Sequence, residues 1–489
     1  MLKNQDEKEI KQKKEKLKKK GIYHSAKKWQ IGFFALNNTA TNIVFLLINY
    51  YVFFTQNVLG LAAALVGTIA TAMRMFDGVT DPIVGFILDK LDTKFGKYRP
   101  FMFIGNIIMV FTIILLFSTP EEWSANAKYI YTGVLYAVTI LGYTLQTSCT
   151  KAAQAALTND PEQRPLFTLF DAIYNTILFG AGTYFLMTVM APKYPDNINS
   201  PGLWADVSKI FMVISFVFTI MAIIGIWEKD RTKYFGLAKN AVEVKFKDAW
   251  DILKNNRPLQ MLIVAASTDK LAMTARTAGF VYFFSNILYD SSLNGRFQMW
   301  VMIPSVIITF LGISYAKKVG LKKSFVRFTW LGTIFIVLLL AYVPFVEGGE
   351  LNLQVWILLG LLLIQYSTSQ LAGNIVIPMI ADCTDYESAR SGRFMSGFMG
   401  TIFSFVDKMI SSLGQFAVGA SIALAGYGTS QIPANAAVET SLEIAILFIV
   451  FGLPLIGHVA SLIAMKFYPL SAERMAEIQQ TIEDKKVTA

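Results

Sequence analysis

Residues 74–90 read RMFDGVTDPIVGFILDK, and this stretch decides how the rest of the chain is interpreted. Apolar residues flank it on both sides, yet Arg74, Asp77 and Asp81 stand within it. At about 100° per residue along a helix, these three positions lie near one face. A charge at membrane depth costs about 2.5–3.5 kcal/mol on insertion scales, so such residues normally face a protein interior or a wet cavity. The stretch therefore predicts a transmembrane helix with a polar stripe.

The apolar character extends over nearly the whole chain. Of its 489 residues, 54% are hydrophobic and 16% are charged, whereas a soluble chain typically carries about 25% charged residues. A membrane-spanning helix needs about twenty mostly apolar residues. The sequence predicts an all-α membrane protein with twelve such helices, at residues 31–55, 60–88, 100–118, 128–155, 166–191, 207–227, 259–288, 297–315, 326–346, 354–380, 394–426 and 441–467.

The distribution of Lys and Arg predicts the orientation in the membrane. The N-terminal tail holds eleven, and the loops after the second, sixth and eighth predicted helices hold four, eight and five. The alternate loops TPEEWSANAK and YDSSLNGR hold one each, and VEGGELNLQ and YGTSQIPANAAVE hold none. Because Lys/Arg-rich loops stay in the cytoplasm, both termini are predicted to be cytoplasmic, in a multi-pass protein of the plasma membrane.

The longest cytoplasmic loop divides the predicted helices into six plus six, which suggests a duplicated six-helix unit. The predicted segments are a basic tail 1–30, an N-terminal bundle 31–228, a central cytoplasmic loop 229–258, a C-terminal bundle 259–468 and a tail 469–489. Much of the net charge of +10 lies in the first tail, in a run without aromatic residues. A solvated tail near anionic lipid is therefore favoured over nucleic-acid binding.

Several function classes find no support in the sequence. The two cysteines and the two histidines suggest neither a disulfide framework nor a zinc site, and no cofactor is expected. The H-E-x-x-H, G-x-S-x-G and Walker patterns are absent, which argues against a membrane enzyme and against an ATP-driven pump. A receptor role is left open by the sequence.

Charged residues of both signs recur inside the predicted helices. The cations are Arg74, Lys151, Lys270, Arg276 and Lys408, and the acids are Asp77, Asp81, Asp171, Asp269 and Asp407. One interpretation is static salt bridges that hold helices together. The other is a shared cavity that binds an ion and a polar solute. The adjacent pairs at 269–270 and 407–408 should point in different directions, so one member of each can be structural.

At this point the residues resemble a known family. RMFDGVTDPIVGFILDKLDTKFGKYRP is similar to the signature of the glycoside–pentoside–hexuronide:cation symporters, and three further stretches agree: ALTNDPEQR, MIADCTDYESARSGR and FVDKMISSLGQF. The resemblance covers both halves of the chain. It implies a major facilitator fold of two six-helix bundles that imports a small sugar together with a cation.

The resemblance also implies residue roles. Asp77 and Asp81 match the carboxylates that bind the cation, either H⁺ or, as a metal site, Na⁺. Arg74 and Lys408 would hold these carboxylates when no cation is bound. Residues expected to act in gating are Asp89, Lys90, Arg99, Asp382 and Asp385.

The sequence departs from the family pattern around the sugar. Thr39 and Thr147 stand where members carry acids, and Lys151 stands in place of an aromatic residue. With fewer carboxylates we favour H⁺ over Na⁺, because a proton needs only one acceptor. The leading hypothesis is a monomeric symporter for a glycoside, pentoside or hexuronide. The alternative is a carrier of lipid, lysolipid or another polar solute from the same superfamily.

Candidate solute-binding residues suggest an acidic sugar. A hydroxylated solute is favoured by the side chains of Asn38, Asn42, Gln146 and Asn175. If Lys151 and Arg276 face the cavity, their charges suit a carboxylate and therefore a hexuronide. The competing account pairs Lys151 with Asp171, and Arg276 with an acid at 269 or 407, which leaves a neutral pocket.

Overall fold

The computed structural model describes residues 25–90, 93–158, 163–231, 253–391, 396–471, 473–478 and 480–481. Within these residues the long elements are all helices, and an isolated bridge between Thr93 and Gly96 is the nearest approach to a strand. The all-helical prediction is confirmed. Most of the predicted tail 1–30 and central loop 229–258, and the end of the tail 469–489, lie outside the described residues.

We call residues 28–231 the first half of the molecule. Its long helices are α1 Lys28–Ile48, α2 Ala63–Lys90, α3 Arg99–Phe117, α4 Ala125–Leu157, α5 Arg164–Tyr184 and α6 Pro201–Ile226. Short π-helical turns extend two of them, Phe54–Val58 beyond α1 and Phe185–Met190 beyond α5.

Residues 253–467 form the second half. Its helices are α7 Arg257–Tyr282, α8 Ser292–Val319, α9 Leu321–Tyr342, α10 Leu353–Ser391, α11 Ser396–Ser411 with its continuation Leu413–Ile422, and α12 Thr440–Leu447 with its continuation Leu453–Phe467.

Nine helices in the described part of the chain are long and apolar enough to cross a membrane. The three long helices outside that group are α2, α4 and α7, with 28, 33 and 26 residues. These helices hold many of the charges that the sequence places inside the membrane, which lowers their hydropathy. Twelve spans, the segment boundaries and the orientation of the termini therefore stay predictions.

Each half packs mainly on itself. In the first half α1 packs on α6 and α5, α3 on α4 and α6, and α2 on α4; in the second half α7 packs on α12, α10 and α11, and α9 on α10. The halves meet where α2 lies against α11 and where α5 lies against α8. The α2–α11 contact is the one that positions the site described below.

Two glycines allow α2 and α11 to approach closely. A Cβ added to Gly419 would lie 2.1 Å from the carbonyl oxygen of Ala63, and one added to Gly67 would lie 2.8 Å from the carbonyl oxygen of Gln415. Because backbone atoms cannot move aside as a flexible side chain does, any larger residue would separate the helices. The glycines thereby set the helix spacing between the two halves.

Hydrogen bonds between the halves cluster at one end of the molecule. The Asn57 side chain exchanges two hydrogen bonds with the backbone of Ile432, with heavy-atom distances of 3.1 and 3.2 Å. Further bonds at this end join Gln56 to Ser430, Ala63 to Gly428, Asn199 to Ile432, Ser291 to Asn197, and Thr188 to Ser292. We call this group of contacts the closed end.

Candidate functional site

The polar stripe of α2 meets a lysine from the other half of the molecule. The Lys408 Nζ of α11 lies 2.9 Å from Asp77 Oδ2 and 2.5 Å from Asp81 Oδ2. On α2 itself, Arg74 Nη1 lies 3.7 Å from Asp77 Oδ2. The three positions share a helix face, as their spacing predicts, and together with Lys408 they form a cluster of two positive and two negative charges. We call these four residues the α2–α11 cluster.

The cluster is partly accessible. Asp77 is fully buried, whereas the side chains of Asp81, Arg74 and Lys408 are 31%, 21% and 20% exposed. The Arg74 guanidinium also lies 4.5 Å from the centre of the Phe45 ring of α1, a cation–π contact that holds it beside Asp77. The cluster therefore combines one enclosed carboxylate, Asp77, with three partly exposed side chains.

Two threonines complete the surroundings of Asp77, and the sequence did not single them out. Thr144 of α4 donates to Asp77 Oδ1 at 3.3 Å, and its oxygen is 3.1 Å from that of Thr80. Thr147, the candidate from the resemblance, instead donates to the backbone oxygen of Tyr143 on its own helix. Thr144 lies one turn before Thr147, so a search one turn either side of the candidate finds it.

A second ion pair lies next to the cluster. Asp407, which directly precedes Lys408, is paired with Lys270 of α7. Asp269, the neighbour of Lys270, accepts a hydrogen bond from the Ser461 hydroxyl at 3.1 Å. The expectation that residues of each adjacent pair point in different directions agrees with these partners.

Arg276 of α7 does not make the ion pairs considered for it. It is 1% exposed, and its Nη1 donates to Gln365 Oε1 at 2.6 Å. Its Nε and Nη2 have no hydrogen-bond partner in the described part of the chain, and its guanidinium carbon lies 5.1 Å from the centre of the Tyr366 ring. The described contacts show no ion pair of Arg276 with an acid at 269 or 407; Asp269 accepts from Ser461, and Asp407 is paired with Lys270.

Polar side chains join α1 to α5 in the first half. Asn38 donates to Asp171 at 2.6 Å, and one turn further on Asn42 donates to Asn175 at 2.7 Å. A cavity of about 100 Å³ adjoins the first of these pairs; it is lined by Phe34, Ala35, Asn38, Thr150, Gln154, Phe167 and Asp171. The Lys151 side chain lies outside the described residues, so its pairing with Asp171 is untested.

Gln146 differs from the other amides proposed to favour a hydroxylated solute. It is fully buried, and its Nε2 donates to Asn37 Oδ1 at 2.9 Å and to Thr219 Oγ1 at 2.8 Å. It therefore links α1, α4 and α6 within the helix packing.

The residues expected to act in gating are only partly placed. Arg99 Nε lies 3.1 Å from Asp230 Oδ2, and backbone N–H groups of residues 97–99 also donate to this carboxylate. This contact lies within the first half. Asp382 and Asp385 lie on α10, which continues to Ser391, whereas the side chains of Asp89 and Lys90 are outside the described residues. A gating role for all five stays a prediction.

The sequence of the chain matches the profile of a known protein family. The profile described as "MFS/sugar transport protein" matches residues 33–472. The chain belongs to this family. The resemblance to the glycoside–pentoside–hexuronide:cation symporters is thereby confirmed, as is the expectation that the protein is a membrane transporter and not an enzyme.

Relatives match over nearly their full length. The chain is 27% identical over 467 residues to the inner membrane symporter YicJ of Escherichia coli, with 93% of this chain and 94% of the relative covered. It is 23% identical over 474 residues to the glucuronide carrier protein homolog of the same organism, covering 93% and 95%. It is 24% identical over 457 residues to the isoprimeverose transporter of Lactiplantibacillus pentosus, covering 91% and 90%.

A solved structure supports the fold alone. The nucleoside transporter NupG superposes with a TM-score of 0.60 over 91% of this chain and 99% of its own length, at 12% identity. The helix arrangement of the major facilitator type is therefore shared with a transporter of distant sequence.

Proposed function

We propose that this protein is a cation-coupled symporter that imports a small sugar derivative across the plasma membrane by alternating access, with Asp77 and Asp81 as the coupling site. The observation that carries the proposal is that Lys408 of the second half lies between these carboxylates of the first half. A bound cation would replace the lysine as their counter-charge. Cation binding and the contact between the halves would then exclude one another, which is what coupling requires.

The coupling cation in this proposal is H⁺ rather than Na⁺. Sodium prefers several oxygen ligands, and the described surroundings of the cluster offer two carboxylates and the hydroxyls of Thr144 and Thr80. Thr147 donates to its own backbone and Thr39 has no hydrogen-bond partner in the described part of the chain, so no described contact joins either residue to the cluster. A proton needs only one carboxylate oxygen.

The substrate class in this proposal is an acidic sugar such as a hexuronide. The Asn38–Asp171 and Asn42–Asn175 pairs supply hydrogen-bonding groups for hydroxyls. Arg276 supplies a buried positive charge without a described carboxylate partner. Relatives carry names of both an acidic and a neutral sugar, a glucuronide carrier homolog and an isoprimeverose transporter. The polar lining disfavours the lipid or lysolipid alternative.

Uptake into proteoliposomes tests the proposal. The panel of solutes contains glucuronides, neutral glycosides, pentosides and a lysolipid. We expect uphill uptake of a glucuronide, driven by an inward H⁺ gradient at zero Na⁺. Asp77→Asn should abolish uphill uptake while solute exchange across the membrane continues, because exchange needs no net cation movement. The double variant Asp77→Asn, Asp81→Asn should behave in the same way.

The matched control is Asp206→Asn, which removes an exposed carboxylate of α6 that pairs with Lys209. It should transport like the parent protein. Full uphill uptake by the double variant would disprove the coupling site. Stimulation by Na⁺ at constant pH and membrane potential would replace H⁺ with Na⁺, and uptake of neutral sugars alone would exclude the acidic substrate.

A further inference from the structure

Two adjacent residues of α11 have opposite charges and contact different halves of the molecule. Lys408 reaches α2, where its ammonium contacts Asp77 and Asp81. Asp407 stays in the second half, ion-paired with Lys270 of α7. Because successive residues point about 100° apart on a helix, the two contacts use different faces of the same turn. A change in charge at residue 407 therefore changes the electrostatic potential directly beside Lys408.

The Lys270–Asp407 pair is unequal in burial. Asp407 is 4% exposed, and its Oδ1 is buried with no hydrogen-bond partner among the described residues. The Lys270 side chain is 49% exposed. A half-solvated ammonium contributes little to stability through such a pair, but it is the charge that neutralises a buried carboxylate. The main consequence of removing it would be an uncompensated negative charge inside the protein.

Among the described ion-paired groups around the cluster, positive and negative charges balance. Arg74 and Lys408 offset the two carboxylates of α2, and Lys270 offsets Asp407. An unneutralised Asp407 would attract the Lys408 ammonium and any cation nearby. An unneutralised Lys270 would repel both. Such effects are strong over short distances in a partly buried site, where the dielectric response is weaker than in water.

We propose that Lys270 and Asp407 are positioning residues that set the cation affinity of the Asp77–Asp81 site. The pair keeps Asp407 from drawing Lys408 away from α2, so that Lys408 stays the competitor that a cation must displace. The inference rests on the proposed symporter function, because it concerns the affinity of that site for its coupling cation.

A double-mutant cycle in proteoliposomes tests the inference. The full-length parent, Lys270→Gln, Asp407→Asn and the double variant are compared by titrating H⁺ at zero Na⁺ and Na⁺ at fixed pH. The sugar is the one that the parent transports fastest. We expect Lys270→Gln to lower the half-saturating cation concentration about threefold to tenfold and Asp407→Asn to raise it by a similar factor. The double variant should return to within about twofold of the parent.

The readouts separate positioning from a structural role. At saturating cation the half-saturating sugar concentration should stay unchanged in all three variants, whereas a general loss of packing would alter it together with the cation value. Lys209→Gln is the matched control, because this α6 lysine is 56% exposed and also ion-paired. It should leave both values unchanged.

Specific outcomes overturn the inference. Cation shifts of the same sign in the two single variants would do so, and so would no shift at all. If Asp407→Asn does not reach the membrane, the double variant must still cancel the shift of Lys270→Gln. A parent protein without cation dependence would overturn the symporter proposal and this inference together, whereas cation dependence that the variants leave unchanged overturns the inference alone.

Discussion

At the scale of single residues, the same residue type serves different purposes on one helix. Gln146 and Gln154 both lie on α4, two turns apart. Gln146 is fully buried and hydrogen-bonded to α1 and α6, whereas Gln154 lines the cavity beside Asp171. A buried amide whose partners both lie inside the protein stabilises the fold, whereas an amide that lines a cavity can hydrogen-bond a solute.

The two glutamines give the first prediction. Gln146→Ala should destabilise the protein by about 1–3 kcal/mol, because Asn37 and Thr219 lose their buried partner. Thermal denaturation in detergent measures this loss. Gln154→Ala is the matched comparison and should leave stability unchanged while raising the half-saturating concentration of the sugar. Equal stability of the two variants would contradict the structural role of Gln146.

Individual partners are also where sequence reasoning reached its limit. Helical spacing was sufficient to place Arg74, Asp77 and Asp81 on one face, because the period of a helix is fixed. Sequence reasoning considered Arg276 as a partner of Asp407 and did not predict Lys270, which is a cation of the same helix α7. That choice depends on how α7 and α11 are rotated against each other, which hydropathy does not report.

At the scale of helices, the contact between α2 and α11 is limited by glycine. Gly419 lies eleven residues beyond Lys408, about three turns along the same helix. The helix spacing at Gly419 therefore influences how close Lys408 comes to α2. Small residues at a helix crossing permit backbone contact, and in a membrane such contact replaces the hydrophobic driving force that lipid cannot supply.

The second prediction concerns this crossing. Gly419→Ala should cost about 1–3 kcal/mol of stability and slow uphill uptake, because the new Cβ meets the backbone of Ala63. The control is Gly373→Ala on α10, where an added Cβ would have no atom within 4 Å. It should be neutral or slightly stabilising, since alanine favours the helix by up to about 1 kcal/mol. Thermal denaturation and initial uptake rates compare the two; identical behaviour would show that the close approach is unimportant.

The helix boundaries show what hydropathy can and cannot predict. The second predicted helix, 60–88, agrees closely with α2, because both ends coincide with a change in polarity. The tenth, 354–380, stops too early, since α10 continues to Ser391 through the polar run ADCTDYESARS. An apolar run records the part of a helix that faces lipid, but the helix itself can continue through polar residues, as α10 does as far as Ser391.

At the scale of the whole molecule, the closed end and the α2–α11 cluster hold the halves together in different ways. The closed end uses hydrogen bonds between neutral groups, whereas the cluster uses charged side chains, which the proposed coupling cation would separate. If the predicted topology holds, the closed end faces the outside of the cell, and the structure is a state closed to the outside. A transport cycle must open the closed end to admit a solute from outside. The free energy of that opening includes the loss of the Asn57 hydrogen bonds.

The third prediction follows from that free energy. Asn57→Ala removes both hydrogen bonds to Ile432. The Ile432 C=O still accepts from the Asn199 side chain, but its backbone N–H loses its described partner, at a cost of about 1–3 kcal/mol. Each 1.4 kcal/mol changes a population ratio about tenfold, so the outward-open state should become about tenfold or more populated. Spin labels at Asp196 and Glu439, exposed residues of the two halves, should report a longer distance by double electron–electron resonance.

The same shift predicts the transport behaviour. When the state that binds from outside is more populated, less sugar is needed to occupy it, so the half-saturating external sugar concentration should fall in Asn57→Ala. Asn352→Ala is the control, because its side chain caps α10 within the second half by accepting from the Val355 N–H. That variant should leave both the spin-label distance and the sugar affinity unchanged. A lengthened distance without tighter external binding would mean that opening this end does not expose the solute site, and the closed end would then not be the outer gate.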